Sequence, residues 1–170
     1  MNFWTYSPED IQVLIGGFYR VEGLSEGSFV QITKDVMPYT STRSADGMVG
    51  RKYTNNSTYS VQISVLSTSP ANDLFTKLWL LDELTQMAKV PLLIKDSLGS
   101  GYFFSASTWF EQIPSLTFST GIDTRVWGLR SNQGIIHIGG NDPISNIQNF
   151  ANLALSGLPL VQSVLNAGGI

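Results

Sequence analysis

Residues 58–67 read Thr-Tyr-Ser-Val-Gln-Ile-Ser-Val-Leu-Ser, and this stretch decides the fold. Apolar and polar side chains alternate along it, which is the pattern of a β-strand with one buried face and one solvated face. The apolar positions are Tyr59, Val61, Ile63 and Val65, and the polar positions are Thr58, Ser60, Gln62 and Ser64. None of these polar side chains carries a charge. The stretch therefore predicts a core strand whose solvated face is neutral.

The same period-two pattern recurs through the first 130 residues. It predicts strands at 10–16, 28–35, 92–95, 102–111 and 116–127. The pattern weakens between Val36 and Asn56, where polar and basic residues surround Ala-Asp-Gly at 45–47. A glycine-containing turn between weakly patterned flanks indicates a long exposed hairpin or loop over residues 36–56. The chain is therefore expected to be mainly β.

One helix is predicted at about residues 69–89. Ser69 is a good N-cap, Pro70 suits the first helical position, and Pro91 ends the run. The apolar stripe consists of Leu74, Leu78, Leu81, Leu84 and Ala88, and it is widened by Phe75, Trp79 and Leu80. This stripe is broader than packing on one sheet requires. Two interpretations follow: the helix is well buried in a small core, or it also contacts a neighbouring subunit through Phe75 and Trp79.

The composition changes after residue 130. Segment 131–170 contains one formal charge, Asp142, besides the histidine at position 137, and apolar residues recur at helical spacing beyond Asp142. An uncharged, half-apolar segment is expected to be covered by protein. We therefore expect a β domain at residues 1–130 and a C-terminal extension with short helices at 131–170, packed on the same or a neighbouring subunit.

Charged residues make up only 14% of the 170 residues, against about 25% in an average soluble domain. Neutral polar residues take their place, and such a surface suits uncharged, hydrated interfaces, so we expect a subunit of an assembly. The net charge of −3 argues against a protein that grips nucleic acid, because that grip needs a surplus of cations. No apolar run is long enough to cross a membrane.

The residues that carry most enzyme chemistry are missing. The chain has no cysteine and a single histidine, His137, which excludes disulfides, thiol catalysis and a multi-histidine metal site within one subunit. It also lacks the glycine-rich phosphate loops, the nucleophile elbow and the zinc-protease motif. We therefore expect no catalytic residues, no cofactor and no metal, and do not expect an enzyme.

Three cations, Arg43, Arg51 and Lys52, lie on the segment 36–56. They are either solvated charges of an exposed loop or charges that pair with acidic groups of another copy and set its register. Nucleic-acid binding is a third interpretation, but three cations and two tyrosines are a small set for that purpose.

A family resemblance rests on the order of these elements. The strand at 59–66 runs into Ser-Thr-Ser-Pro-Ala-Asn at 67–72 and then into the helix, and the preceding loop carries Ser-Ala-Asp-Gly-Met at 44–48. Over residues 10–128 the chain resembles the tail tube proteins of tailed bacteriophages, and most of all the type that builds contractile tails.

The resemblance implies a two-sheet β-sandwich or barrel with one flanking helix, assembled as hexameric rings that stack into a tube. The neutral strand face, with Thr58, Ser60, Gln62 and Ser64, would then line the channel. The long loop, with Arg43, Asp46, Arg51 and Lys52, would reach the adjacent ring. The helix would lie outside, where Phe75 and Trp79 would contact a neighbouring subunit or a sheath.

The function that this resemblance implies is structural: a tail tube subunit in the virion, assembled in the host bacterial cytoplasm. Its partners would be other copies of itself and the sheath, baseplate and tail terminator proteins. DNA would pass through the channel during ejection without specific binding. One alternative is the tube of a related contractile injection or secretion system. Another is a β-sandwich carbohydrate-binding module, in which Trp4, Trp109 and Trp127 would stack on sugar rings.

Overall fold

The computed structural model describes residues 5–141. A short 3-10 helix, Pro8–Asp10, leads into β1, and one α-helix lies among ten strands of this part of the chain. The strands are β1 (Ile11–Ile15), β2 (Tyr19–Arg20), β3 (Val30–Lys34), β4 (Tyr39–Arg43), β5 (Val49–Tyr53), β6 (Tyr59–Leu66), β7 (Val90–Asp96), β8 (Tyr102–Gln112), β9 (Thr124–Asn132) and β10 (Ile135–His137), and the helix is α1 (Ala71–Thr85). The prediction of a mainly β chain with one helix is confirmed.

Eight of the strands form one antiparallel sheet. Its order is β2-β1-β7-β8-β9-β6-β3, and β10 pairs with the first half of β8. Strands β4 and β5 form a separate two-stranded sheet, referred to below as the β4–β5 hairpin. Of the two alternatives stated for residues 36–56, a hairpin or a loop, the structure has the hairpin.

Residues 21–25 close the main sheet into a barrel. The Val21 amide donates to the Val13 carbonyl of β1 at 2.8 Å, and the Leu66 amide of β6 donates to the Gly23 carbonyl at 2.8 Å. One short segment thus bonds to β1 and to β6, the second strand from each end of the sheet. Gly23 has a φ of +70°, and a Cβ atom there would lie 2.8 Å from the side chain of Ser69. Only glycine fits this crossing without strain.

Strand β6 provides the centre of the core, as its alternation predicts. Tyr59, Val61, Ile63 and Val65 are buried. Their inward neighbours come from β1, β8 and β9 and include Val13, Ile15, Phe103, Phe110, Trp127 and Leu129. The core is thus built from side chains on the inner face of a curved sheet and is covered at one side by α1.

Helix α1 is shorter than predicted. Its first turn is held by Ser69, whose hydroxyl accepts from the Ala71 amide at 3.2 Å and donates to the Glu22 carbonyl at 2.5 Å. It ends at Thr85 because Gln86 adopts a left-handed conformation with φ of 58°, and the Ala88 amide then bonds to the Asp82 carboxylate. The segment 86–89 therefore follows the helix instead of belonging to it.

The helix is also rotated relative to the predicted stripe. Its buried residues are Ala71, Asn72 and Phe75, whereas Leu81 and Leu84 are 49% and 82% exposed. The Trp127 indole N–H donates to the Asn72 side-chain oxygen at 3.0 Å. A buried indole N–H needs an acceptor, so this bond sets which side of the helix faces the core. The assignment of Leu81 and Leu84 to the core-facing stripe was wrong.

The strand predicted at 116–127 was wrong in its first half. Strand β9 begins at Thr124, and residues 113–123 form an exposed loop. Polar side chains in the loop bond locally: the Ser119 hydroxyl donates to the Asp123 carboxylate at 2.6 Å and accepts from the Gly121 amide. Such local bonds compete with strand pairing. At its other end β9 extends to Asn132, so the expected boundary at residue 130 lies within a strand, and residues 142–170 of the extension lie outside the described part.

A charged network ties three strands together on the outer face of the sheet. Arg130 of β9 donates to the carboxylate of Asp35, which follows β3, at 2.6 Å, and to Glu111 of β8 at 2.7 Å. The Ser60 hydroxyl donates to Asp35 at 2.5 Å. Burial raises the pKa of Asp35, but hydrogen bonds from Ser60, Thr58 and Arg130 and the Arg130 charge outweigh it, so the pKa lies below its ordinary value.

We expect Phe75→Ala to lower the free energy of unfolding by about 3–5 kcal/mol, because it leaves a cavity in the aromatic core. The matched control is Leu84→Ala on the same helix, which removes an exposed side chain and should change stability by less than about 0.5 kcal/mol. Chemical denaturation of both variants measures the difference. Equal losses would contradict the observed rotation of α1.

Acid should weaken the Asp35 network. A carboxyl whose pKa is lower in the folded state stabilises the fold above its unfolded pKa, and this contribution is lost as the pH falls through the folded value. We expect Asp35→Asn to cost about 1 kcal/mol at neutral pH and the difference from wild type to shrink below about pH 4. Denaturation curves across this range measure it, with Glu83→Gln on the exposed side of α1 as control. A cost of Asp35→Asn that does not vary with pH would count against an ionised Asp35.

Candidate assembly surfaces

The predicted neutral face is the outer face of β6. Ser60, Gln62 and Ser64 alternate with the buried residues, and Gln62 is exposed. Thr58 lies just before the strand, where its amide and hydroxyl both donate to the Asn56 side-chain oxygen, at 2.8 and 2.6 Å. Three of the four predicted residues therefore share one strand face, while Thr58 belongs to the turn that leads into it.

Strand β3 extends this neutral face. Gln31 is paired with Gln62, and Thr33 is paired with Ser60. Directly opposed residues of an antiparallel pair lie on the same side of the sheet, so the two strands present one patch of amides and hydroxyls. We call the set Gln31, Thr33, Ser60, Gln62 and Ser64 the neutral wall. Alternation around residues 28–35 predicted the strand, but the pairing partner became clear only in the fold.

The neutral wall is bordered by the Arg130 network. Ser60 belongs to both, since it donates to Asp35. The pKa of Arg130 is raised above its ordinary value, first by its hydrogen bond to Glu111 and then by its bond to Asp35. The guanidinium next to the wall is thus matched by two carboxylates and adds no net positive charge to this face.

The four residues predicted to reach the adjacent ring, Arg43, Asp46, Arg51 and Lys52, do not all lie on one face of the β4–β5 hairpin. Arg43 is paired with Val49 and Arg51 with Ser41, on the same face as the Tyr39–Tyr53 pair, whereas Lys52 lies on the opposite face beside Thr40. The guanidinium carbon of Arg51 lies 4.2 Å from the centroid of the Tyr39 ring, and the two tyrosine rings are 5.3 Å apart. Every residue from 39 to 53 is exposed. The first face of the hairpin is therefore an exposed arginine–tyrosine surface.

Asp46 has a local structural role at the tip of the hairpin. Its carboxylate accepts hydrogen bonds from the Ser44 hydroxyl and from the Met48 amide, the latter at 3.4 Å. The Ser44 bond is the main reason that the pKa of Asp46 lies below its ordinary value. Gly47, with a φ of +90°, completes the turn. The carboxylate shapes the tip rather than pairing with the nearby arginines.

The two predicted contact residues of α1 have different environments. Phe75 is completely buried, with its ring 4.9 Å from that of Phe110 and 5.5 Å from that of Trp127, so it offers no surface to another chain. Trp79 is half-buried. The exposed apolar residues on and after the helix are Leu80, Leu81, Leu84 and Met87, and those of the loop 113–123 are Ile113, Leu116, Phe118 and Ile122. The sequence pattern placed Leu80, Leu81 and Leu84 in the helix stripe and Leu116, Phe118 and Ile122 in a strand, which is why they were not predicted as exposed surface. Met87 and Ile113 fall outside that stripe and that strand.

The tryptophans do not form a sugar-binding platform in the described chain. Trp127 is 4% exposed and bonded to Asn72, and Trp109 is half-buried on β8. Trp4 lies outside the described residues. A stacking platform needs an exposed ring face, so the role suggested for Trp127 in a carbohydrate-binding module was wrong.

Within residues 5–141, no group of three or more histidine, aspartate or glutamate side chains could hold a metal ion. His137 lies in β10, where its ring stacks on that of Tyr102 at 5.6 Å. The helix of the described chain is too short and too polar to span a membrane.

Comparison with known proteins gives one relative by sequence. Structural protein ORF10 of Pseudomonas phage KPP10 is 30% identical over 148 residues, which cover 83% of this chain and 86% of that protein. No protein-family model matches the chain.

Solved structures share the fold. The tube-terminating cap of the anti-feeding prophage has a TM-score of 0.51 at 13% identity, covering 81% of this chain and 93% of that chain. The sheath/tube terminator of an extracellular contractile injection system, PVC, in its extended state, has a TM-score of 0.52 at 14% identity, covering 80% and 99%. These identities are low, so the likeness concerns the fold alone.

The phage relative covers most of both chains, and it is a structural protein, which confirms the expectation that the chain is not an enzyme. The fold that the resemblance implied is confirmed by proteins that terminate tubes in contractile systems. The chain therefore belongs to a family of phage structural proteins that includes ORF10 of phage KPP10, and it has a fold of the tail tube type.

Proposed function

We propose that the chain is a structural subunit of a phage tail tube. Six copies close into a ring, and rings stack around a central channel that conducts DNA during ejection. The protein belongs to the tail of the virion and is assembled in the host bacterial cytoplasm. The phage relative supports a role in a virion, and the fold shared with tube terminators supports a role in or next to a tube.

The observation that carries this proposal is the neutral wall. A channel lined with cations would hold the phosphates of DNA, because each neutralised phosphate adds to the affinity. A wall of amides and hydroxyls is hydrated and has no net attraction for the duplex. Gln31, Gln62 and their hydroxyl neighbours form such a surface on two paired strands. The neutral wall therefore faces the channel, and DNA passes it without specific binding.

Ring formation would also cover the exposed apolar surfaces of the subunit. Unpaired edge strands and exposed apolar residues favour association in water. The Leu80–Leu84 side of α1 and the loop with Phe118 and Ile122 carry such residues. We assign these two surfaces to contacts with neighbouring subunits and with the sheath. The half-buried Trp79 contributes at the margin of the helix surface, and the baseplate and tail terminator meet the two ends of the tube.

A terminator is the second candidate, because the two solved structures described above end a tube or its sheath. A terminator acts as a single ring, whereas a tube subunit stacks without limit. The tube of a contractile injection system remains a third candidate, and the phage relative favours the virion over it.

Purified protein should form rings or tubes with a central channel in negative-stain electron microscopy. Stacks of variable length would support the tube subunit, and single rings that never stack would support the terminator instead. Monodisperse monomer at high concentration would contradict both forms of the proposal.

A charge placed on the neutral wall should make the channel hold DNA. We expect assembled Gln62→Lys to retain linear duplex DNA at low salt, whereas wild type retains little, because every subunit then adds a cation to the wall. The matched control is Thr76→Lys on the exposed side of α1, which adds the same charge away from the neutral wall. Co-sedimentation with DNA measures retention. Equal retention by both variants would contradict the assignment of the channel face.

A further inference from the structure

An acid-rimmed groove lies beside the segment that closes the barrel. It has a volume of about 510 Å³ and is lined by residues of the 3-10 helix, of β2 and of the segment 21–29. Its carboxylates are Glu9 and Glu22, and its apolar floor includes Leu24 and Phe29. Its one cation, Arg20, donates to the Glu9 carbonyl at 3.2 Å. We call this feature the acidic groove.

The β4–β5 hairpin has the opposite character. Between residues 39 and 53 it carries three cations and one carboxylate, a net charge of +2. The other described residues carry seven cations and eleven carboxylates, a net charge of −4. The positive charge on the hairpin is accompanied by the exposed rings of Tyr39 and Tyr53 and by Val49. This combination of cations and apolar surface is complementary to carboxylates around an apolar floor.

The two surfaces lie at opposite ends of the same strand pair. The hairpin follows the end of β3 at which Lys34 is paired with Tyr59. The acidic groove lies at the other end, where Leu24 bridges Val65 and the Ser64 amide donates to the Phe29 carbonyl. Five residue pairs connect these ends and span about 13 Å along the strands. Complementary surfaces at opposite ends of one molecule produce a head-to-tail contact that propagates from copy to copy.

Tyr19 of β2 directly precedes Arg20, a residue of the acidic groove. Burial raises the pKa of Tyr19, and the charges of Glu22 and Asp73 raise it further. An isolated two-stranded hairpin is marginally stable in water at best, so the exposed hairpin gains from a partner. The acidic groove at the far end of another copy of the chain has the opposite charge and can act as that partner.

We infer that the acidic groove of one copy receives the arginine–tyrosine face of the β4–β5 hairpin of the next copy along the tube. This inference rests on the proposed tube and names the surface that accepts the hairpin. Arg43 and Arg51 meet the carboxylates of the rim, and the tyrosine pair and Val49 cover the apolar floor. Because each copy has one hairpin and one groove, the contact couples successive rings in one direction.

Charge reversal tests this pairing. The hairpin variant is Arg43→Glu with Arg51→Glu, and the groove variant is Glu9→Arg with Glu22→Arg; all four residues are exposed, so both variants should fold, which circular dichroism checks. Each variant alone should lose stacked assemblies in sedimentation velocity. An equimolar mixture should recover them, because each variant then offers the surface that the other needs. A chain carrying all four reversals should also stack alone.

The outcomes separate this inference from the proposed function. Wild type that stays monomeric contradicts the tube itself. Wild type that stacks, together with a groove variant that stacks equally well, contradicts the groove and leaves the tube intact. A hairpin contact with another hairpin would also let the groove variant stack, so that result would overturn the head-to-tail arrangement.

Cysteine pairing provides a second measurement, since the natural chain has no cysteine. Val49→Cys in one preparation and Pro8→Cys in another place one thiol on the hairpin and one at the groove. Mild oxidation of the mixture should give a disulfide-linked dimer of the two variants. The matched control replaces Pro8→Cys by Thr117→Cys in the exposed loop 113–123. Equal yields of dimer in the two mixtures would overturn the inference even if no stacks form.

Discussion

The two-residue period of β6 is the constraint on which the rest of the structure depends. Tyr59, Val61, Ile63 and Val65 of this strand are buried, so the residues between them are forced to the outer side of the sheet. Strand β6 pairs with a neighbour on each side. Strand β3 pairs along its first half, and β9 pairs along its whole length. One strand thus determines both the centre of the core and the neutral wall. A shift of one residue in its register would exchange the two faces.

The aromatic cluster next to β6 decides where α1 lies. Phe75, Phe110 and Trp127 pack edge to face or tilted, with ring centroids 4.9 to 5.7 Å apart. The indole N–H inside this cluster requires an acceptor, which Asn72 supplies. These contacts orient the helix so that its later leucines face outward. An apolar surface is thereby placed on the outside of the barrel, where an assembly can cover it.

The β4–β5 hairpin forms a sheet of its own, separate from the main sheet. The hairpin extends from the barrel with every residue exposed, and its arginines and tyrosines are arranged on a single face. At the opposite end of the same strands the barrel carries a groove with the complementary charge and an apolar floor. The low charge content of the chain is consistent with a surface that is divided into neutral and charged regions. The neutral residues form a wall, while charged residues lie in the Arg130 network, on the hairpin, at the groove and along α1.

Sequence patterns were enough to predict the β6 strand with its two faces, the position of the helix, an exposed hairpin or loop at 36–56 and the lack of enzyme motifs. These follow from local rules of periodicity, capping and composition, which act within a few residues of the chain. The tertiary structure alone decided the rotation of α1, the start of β9, and the pairing of Asp35 and Glu111 with Arg130. It also decided which cations share the hairpin face and which strand end carries the acidic groove. Each of these depends on contacts between residues far apart in sequence, such as Asn72 with Trp127 or Gly23 with Ser69, and no local pattern records which distant group becomes the partner.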